Sequence, residues 1–172
     1  MQLTERSYNM FLLQLDYSRS KAHSMHLTRF TDYSIRVLIF LAVKGEERST
    51  INEIAETFDI SRNHLMKVVQ ELSQKNYVTA IRGKNGGLLL TRDPATIVLG
   101  KLVREMEHGM ELVECFHSDN NCIITPSCRL QPILNEALSA FLEVLDRYTL
   151  ADVLSNRYPQ LAGLMRIPTV NV

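Results

Sequence analysis

The chain has 172 residues, 45% of them apolar, with nineteen basic and nineteen acidic side chains and three cysteines. That length fits one domain, or one small domain with an appended helix, and the apolar share suffices for a packed core. No segment is long and apolar enough to span a membrane, and an odd cysteine count argues against a disulfide framework, so the expected location is the cytoplasm.

The first stretch, MQLTERSYNMFLLQLDYSRSKAHS, shows no sustained period. Its apolar run from Met10 to Leu15 is broken by Gln14 and lacks a following small-residue cleavage site, which excludes a signal peptide. Met25 reads as the natural start, and residues 1–24 as a leader or a disordered arm. From Thr31, a plausible N-cap, the residues Tyr33, Ile35, Val37, Leu38, Ile39, Leu41 and Ala42 form a helix that is greasy around most of its surface and closes at Gly45. Such a helix is expected to be buried, in part against a second subunit.

Ser49 or Thr50 can cap the short helix INEIAETF, with Ile51, Ile54, Ala55 and Phe58 on one face. Asp59 and Ile60 then form a tight connection, and Ser61 caps RNHLMKVVQELSQKN, whose Leu65, Val68, Val69 and Leu72 point inward. Two short helices, a brief turn and a Ser cap describe a helix-turn-helix over about 51–75. Arg62, Asn63, His64 and Lys67 start the outward face, where a recognition helix reaches base edges and phosphates. A hairpin over about 77–91 follows, with two short strands around Lys84, Asn85, Gly86 and Gly87. Asn-Gly is a strong turn signal because both residues tolerate positive φ. Arg82 and Lys84 put positive charge at the tip, so residues 25–92 read as a winged helix-turn-helix. Residues 26–92 carry ten Lys/Arg against seven Asp/Glu, and residues 93–172 carry six against ten. A basic front half is compatible with nucleic-acid contact.

Residues 93–154 hold the rest of the organised chain. Ile97–His108 makes a short amphipathic helix with Leu99, Leu102, Val103 and Met106 inward, stopped by Gly109. Then comes ECFHSDNNCIITPSCRL, Glu114 to Leu130, which contains every cysteine of the chain: Cys115, Cys122 and Cys128. Beyond it Leu134, Leu138, Phe141, Leu145 and Tyr148 recur at heptad-like steps, the seam of a long helix suited to dimerisation. The tail, residues 155–172, with Pro159 and Pro168, reads as loosely ordered.

Thiolates are soft ligands that favour zinc, copper(I) or iron–sulfur clusters. A structural zinc site usually shows a close Cys-x2–4-Cys pair and four protein ligands, and this segment has neither. Three widely spaced thiolates fit an iron–sulfur cluster better, with the fourth position filled by His108, His117, Asp119 or Asp32 of the partner subunit. Zinc and a metal-free thiol switch remain the alternatives. No nucleotide-binding glycine motif, HExxH or GxSxG occurs, so an enzyme is not expected.

The runs LTRFTDYSIRVLIFLA, ISRNHLMKVVQELSQKNYV, RGKNGGLLL and IVLGKLVREME resemble the iron–sulfur winged-helix repressors of bacteria. With ECF…C…TPSCRL and LNEALSAFLEVLDRYTLADVL, the chain is most similar to the nitric-oxide-sensitive branch of that family, over about residues 25–154. The resemblance implies a mainly α fold and a homodimer on a palindromic double-stranded operator. It further implies repression of nitric-oxide-detoxification genes, and release when the cluster is nitrosylated. One cluster per subunit is implied, 4Fe–4S ahead of 2Fe–2S, held by Cys115, Cys122 and Cys128, with Asp32 as a cross-subunit ligand. The DNA-contacting positions fall on Thr50, Ser61, Arg62, Asn63, His64 and Lys67, and in the wing on Arg82, Lys84, Asn85, Gly86 and Gly87. Asn76 stands where the family usually has Gly, and Asn tolerates left-handed geometry. Gln131 stands where a related branch has His, three residues after the last cysteine. An iron–sulfur or redox regulator of another regulon, or a zinc-stabilised DNA-binding regulator, is the alternative function.

Overall fold

The structure, a computed structural model, describes residues 26–84, 86–117 and 119–168, so the expected leader or arm at 1–24 lies outside the described residues. Helix α1 (Arg29–Lys44) is the hub. Its cap is Thr28, whose hydroxyl accepts the Thr31 N–H at 3.3 Å, whereas Thr31, the expected cap, is fully buried one turn inside. Val37, Leu38, Phe40, Leu41 and Val43 are each 2% exposed or less. The chain itself buries them, because the recognition helix, the second wing strand and three later helices all pack against α1. Tyr33, Ile35, Ile39 and Ala42 remain only partly buried.

Helix α2 (Ile51–Phe58) starts in a capping box: the Thr50 hydroxyl accepts the Glu53 N–H, and the Glu53 carboxylate accepts the Thr50 N–H at 2.6 Å. Asp59 in left-handed geometry (φ 51°) ends it. Helix α3 (Arg62–Gln74) is capped by Ser61 and seats Leu65, Val68, Val69 and Leu72 in the core. Asn76 at φ 59° turns the chain out of α3, as the sequence anticipated, and the Tyr77 N–H reaches back to the Leu72 carbonyl at 2.8 Å.

Strands β1 (Val78–Ile81) and β2 (Gly87–Leu90) pair antiparallel, Val78 opposite Leu90 and Ile81 opposite Gly87. Ser49, just before α2, bridges the free edge of β2 through Leu88, which locks the wing to the helix-turn-helix. Of the expected Asn-Gly pair, Asn85 lies outside the described residues. Residues 82–86 connect the strands, Gly83 takes the positive φ of 107°, and the Gly86 N–H closes on the Gly83 carbonyl at 2.9 Å. Gly86 is needed for another reason: a Cβ there would collide with the Ile81 and Gly83 carbonyls.

A 3-10 turn at Pro94–Thr96 leads to α4 (Leu99–Met106). Short 3-10 turns at Glu114–Phe116 and Thr125–Ser127 punctuate the cysteine segment before α5 (Leu130–Asp146). Helices α4 and α5 are clamped where Arg104 grips the Asp146 carboxylate with both guanidinium nitrogens, at 2.7 and 2.6 Å. Helices α6 (Leu150–Leu154) and α7 (Tyr158–Leu164) return to α1. The described part of the tail, residues 155–168, is therefore more ordered than its prolines suggested. Pro159 sits in the first turn of α7, where its missing N–H costs nothing. Ala162, Met165 and Ile167 are buried, and the Tyr158 hydroxyl donates to the Val43 carbonyl at 2.6 Å. Among the described residues, seven α-helices and one two-stranded sheet make up the fold.

Candidate nucleic-acid interface and cysteine centre

The outward face of α3 carries Arg62, Asn63, His64, Met66, Lys67 and Gln70, all exposed. It holds that face because the inward positions 65, 68, 69 and 72 are locked in the core. Ser61, also exposed, accepts the His64 N–H at 3.3 Å and keeps its own hydroxyl proton to donate, as does Thr50 at the head of α2. The His64 ring lies 6.5 Å from the Tyr33 ring on α1, so it connects the two helices as well as facing outward. Arg82, Gly83 and Lys84 are exposed at the wing tip, and Gly87, at the base of the wing, is half-buried beside Arg48 and Ser49. Asn85 lies outside the described residues. Met66 and Gln70, which the sequence did not single out, are exposed on the same helix as Arg62, Asn63, His64 and Lys67.

The far end of α3 is fastened to α4. The Tyr77 hydroxyl donates to Glu105 at 2.8 Å, and the Arg92 guanidinium lies 4.3 Å above the Tyr77 ring while donating to the Asn76 and Lys75 carbonyls. Burial first, and then the neighbouring Glu105 carboxylate, push the Tyr77 phenol well above its ordinary range, so it remains a donor at any physiological pH.

The three cysteines are free thiols, each partly exposed. Two hydrogen bonds brace their segment. The Glu114 carboxylate accepts the Asn121 N–H at 3.0 Å, joining the residues that immediately precede Cys115 and Cys122. The Gln131 amide donates to the Cys115 carbonyl at 2.7 Å, joining the first cysteine to the first turn of α5, beyond Cys128. The Leu130 N–H points at the Cys128 sulfur at 3.4 Å. His117 closes the 3-10 turn after Cys115, and its carbonyl accepts from Asn120. Neither brace was legible in the sequence, since each spans many residues and uses an ordinary amide or carboxylate.

Asp32 lies in the first turn of α1 and is paired with Arg36 at 2.8 Å, with both side chains a little over two-fifths exposed. That turn adjoins the end of α4, from which the chain leads into the cysteine segment. Glu107 accepts the Thr28 N–H at 2.7 Å, and the His108 ring meets Phe30 edge-on at 5.8 Å. His108 also contacts the Met106 carbonyl at 3.1 Å through Nδ1. Among the described residues no three His, Cys, Asp or Glu side chains converge on one point as ligands of a single metal ion. In donor type, three free thiols on a braced, part-exposed segment suit a soft-metal centre rather than a hard cation.

The model of the Rrf2 family, described as iron-dependent transcriptional regulators, matches residues 27–156. The chain belongs to the Rrf2 family. It is 53% identical over 135 residues to the HTH-type transcriptional regulator NsrR of Geobacillus kaustophilus, covering 77% of this chain and 92% of that one. The NsrR of Bacillus subtilis is also 53% identical, with the same coverage. Among solved structures, CymR, the global cysteine regulator of B. subtilis, superposes with a TM-score of 0.58 at 27% identity, covering 77% of this chain and 98% of that one. As an Rrf2 protein the chain is a transcriptional regulator, and α3 with the wing is the part of its fold that suits DNA.

Proposed function

We propose that this Rrf2 regulator is a homodimeric repressor that binds a palindromic operator, carries an iron–sulfur cluster on Cys115, Cys122 and Cys128, and leaves DNA in response to nitric oxide. The observation that carries the reading is one of adjacency. The end of α4, which leads into the cysteine segment, meets the N-terminal turn of α1 through Glu107–Thr28 and His108–Phe30, and α1 touches the recognition helix through Tyr33–His64. The bound cluster supplies iron that reacts with nitric oxide. The chain supplies everything else. Arg62, Asn63 and Lys67 meet base edges and phosphates, and Arg82 and Lys84 reach the flanking backbone. Glu114 and Gln131 hold the thiols on one frame. A shift of that frame is delivered to α1, and α1 delivers it to α3.

The dimer follows from α5. None of its residues is buried, and Leu130, Ile133, Phe141 and Val144 are each more than two-fifths exposed along a helix of 17 residues. A second copy, placed across this face, covers the stripe and sets the two recognition helices one helical turn of DNA apart. Asp32 of the partner subunit is the proposed oxygen ligand, a role in which it exchanges its Arg36 partner for iron.

The test is anaerobic purification with iron and acid-labile sulfide analysis. Matched iron and sulfide, lost in Cys122→Ser while the protein stays folded, are expected. A colourless protein holding zinc without sulfide overturns the sensor and leaves a zinc-stabilised regulator.

A further inference from the structure

The exposed apolar side chains of α5 have the proposed dimer face to account for them, but Met66 does not belong there. It stands on the outward face of the recognition helix, 43% exposed. Of its neighbours one turn away Arg62, Asn63 and Gln70 are exposed and polar, as is Lys67 beside it, and Val69 is buried. A lone exposed apolar residue is ordinary on a protein surface. This one lies on the flank of the outward face, between the buried Val69 and the exposed hydrogen-bonding groups.

We propose that Met66 is a specificity-determining residue that reads the 5-methyl group of a thymine in the major groove; this rests on the DNA-binding reading above. The argument is one of elimination by chemistry. Base pairs offer donors and acceptors along the major-groove floor, and the thymine methyl is the apolar group among them. Arg62, Asn63, Lys67 and Gln70 can satisfy the polar edges, and Met66 can satisfy none of them. Its thioether is flexible and polarisable, so it can settle over a methyl without a fixed geometry. At that position the protein then distinguishes thymine from cytosine, which presents a donor and no methyl.

The experiment uses the full chain purified without oxygen and duplexes that the protein itself enriches from a random pool. Each thymine in the enriched site is replaced singly by deoxyuridine, which deletes the methyl and leaves every hydrogen-bonding atom in place. Wild type is expected to lose about fourfold in affinity at one thymine per half-site, the worth of one buried methyl. Met66→Ala, a helix-favouring change at an exposed site, should bind more weakly and show no difference between thymine and deoxyuridine. Lys67→Ala should bind more weakly and keep the deoxyuridine penalty. Indifference of wild type to every replacement, or an unchanged penalty in Met66→Ala, overturns the proposal while DNA binding stands. Failure to enrich any duplex overturns the DNA reading and this inference together.

Discussion

At the scale of single residues, the backbone demands of the helix-turn-helix are met by side chains that tolerate left-handed geometry. Asn76 at φ 59° is the sharpest case, because it links the recognition helix to the wing. Asn76→Gly should leave thermal stability equal or slightly raised, and Asn76→Val should cost about 1–2 kcal/mol, read as a fall in melting temperature. That position was legible in the sequence, as were the Ser61 and Thr50 caps, because each is a local rule about one residue and its next few neighbours. Gln131 was not. The sequence showed it only as the absence of a histidine, whereas the structure gives it a task, holding the Cys115 carbonyl at 2.7 Å. Removing one such bond is worth about 1 kcal/mol. Gln131→Ala should therefore release iron to a chelator several-fold faster than wild type, with the helical content unchanged. An identical release rate would mean that the brace does not support the thiols.

At the scale of elements, the amphipathic patterns gave α2 and α3 their inward faces, since a short helix against one core has only one way to bury its stripe; in α4 they gave Leu102, Val103 and Met106, but Leu99 is only half-buried and Gly100 is buried instead. Helix α1 illustrates the limit. Its all-round apolar character signals burial but not by what, and the covering turns out to come from α3, β2 and the later helices of the same chain. The tail supplied part of that cover. Prolines at 159 and 168 suggested looseness, yet Pro159 starts α7 and Met165 and Ile167 complete the core around α1. Contacts between residues as distant as Val43 and Tyr158 leave no trace in local periodicity. Helix α5 presents the opposite case, an apolar stripe that the chain leaves uncovered. Phe141→Glu on that stripe should convert the protein to a monomer by light scattering and weaken operator binding by more than tenfold. A dimer of unchanged stability would place the subunit contact elsewhere.

At the scale of the whole molecule, polar clamps within the second half add to the core. Asp146 is held below the usual carboxylate range by the Arg104 fork, and Asp152 by the Thr149 N–H and hydroxyl. Both carboxyls have lower values folded than unfolded. Their stabilisation is therefore complete above the ordinary carboxylate value of about 4 and fades as pH falls through the lowered folded values. Acid unfolding should be less steep in Asp146→Asn/Asp152→Asn than in wild type, measured as melting temperature between pH 5 and pH 2. Solvent screens both groups, so the difference will be small.

The central claim is that the cysteine segment governs the recognition helix through α1. Its most direct test is operator affinity during a nitric-oxide titration, run anaerobically on wild type and on Tyr33→Ala, which severs the contact to His64 and leaves every proposed ligand in place. The account predicts that wild type loses its operator in step with the bleaching of its visible spectrum. Tyr33→Ala should bleach at the same nitric-oxide dose and retain a substantial part of its DNA affinity. Equal loss of DNA by both proteins would contradict the α1 route, and a wild type whose DNA affinity ignores nitric oxide would contradict the sensor itself.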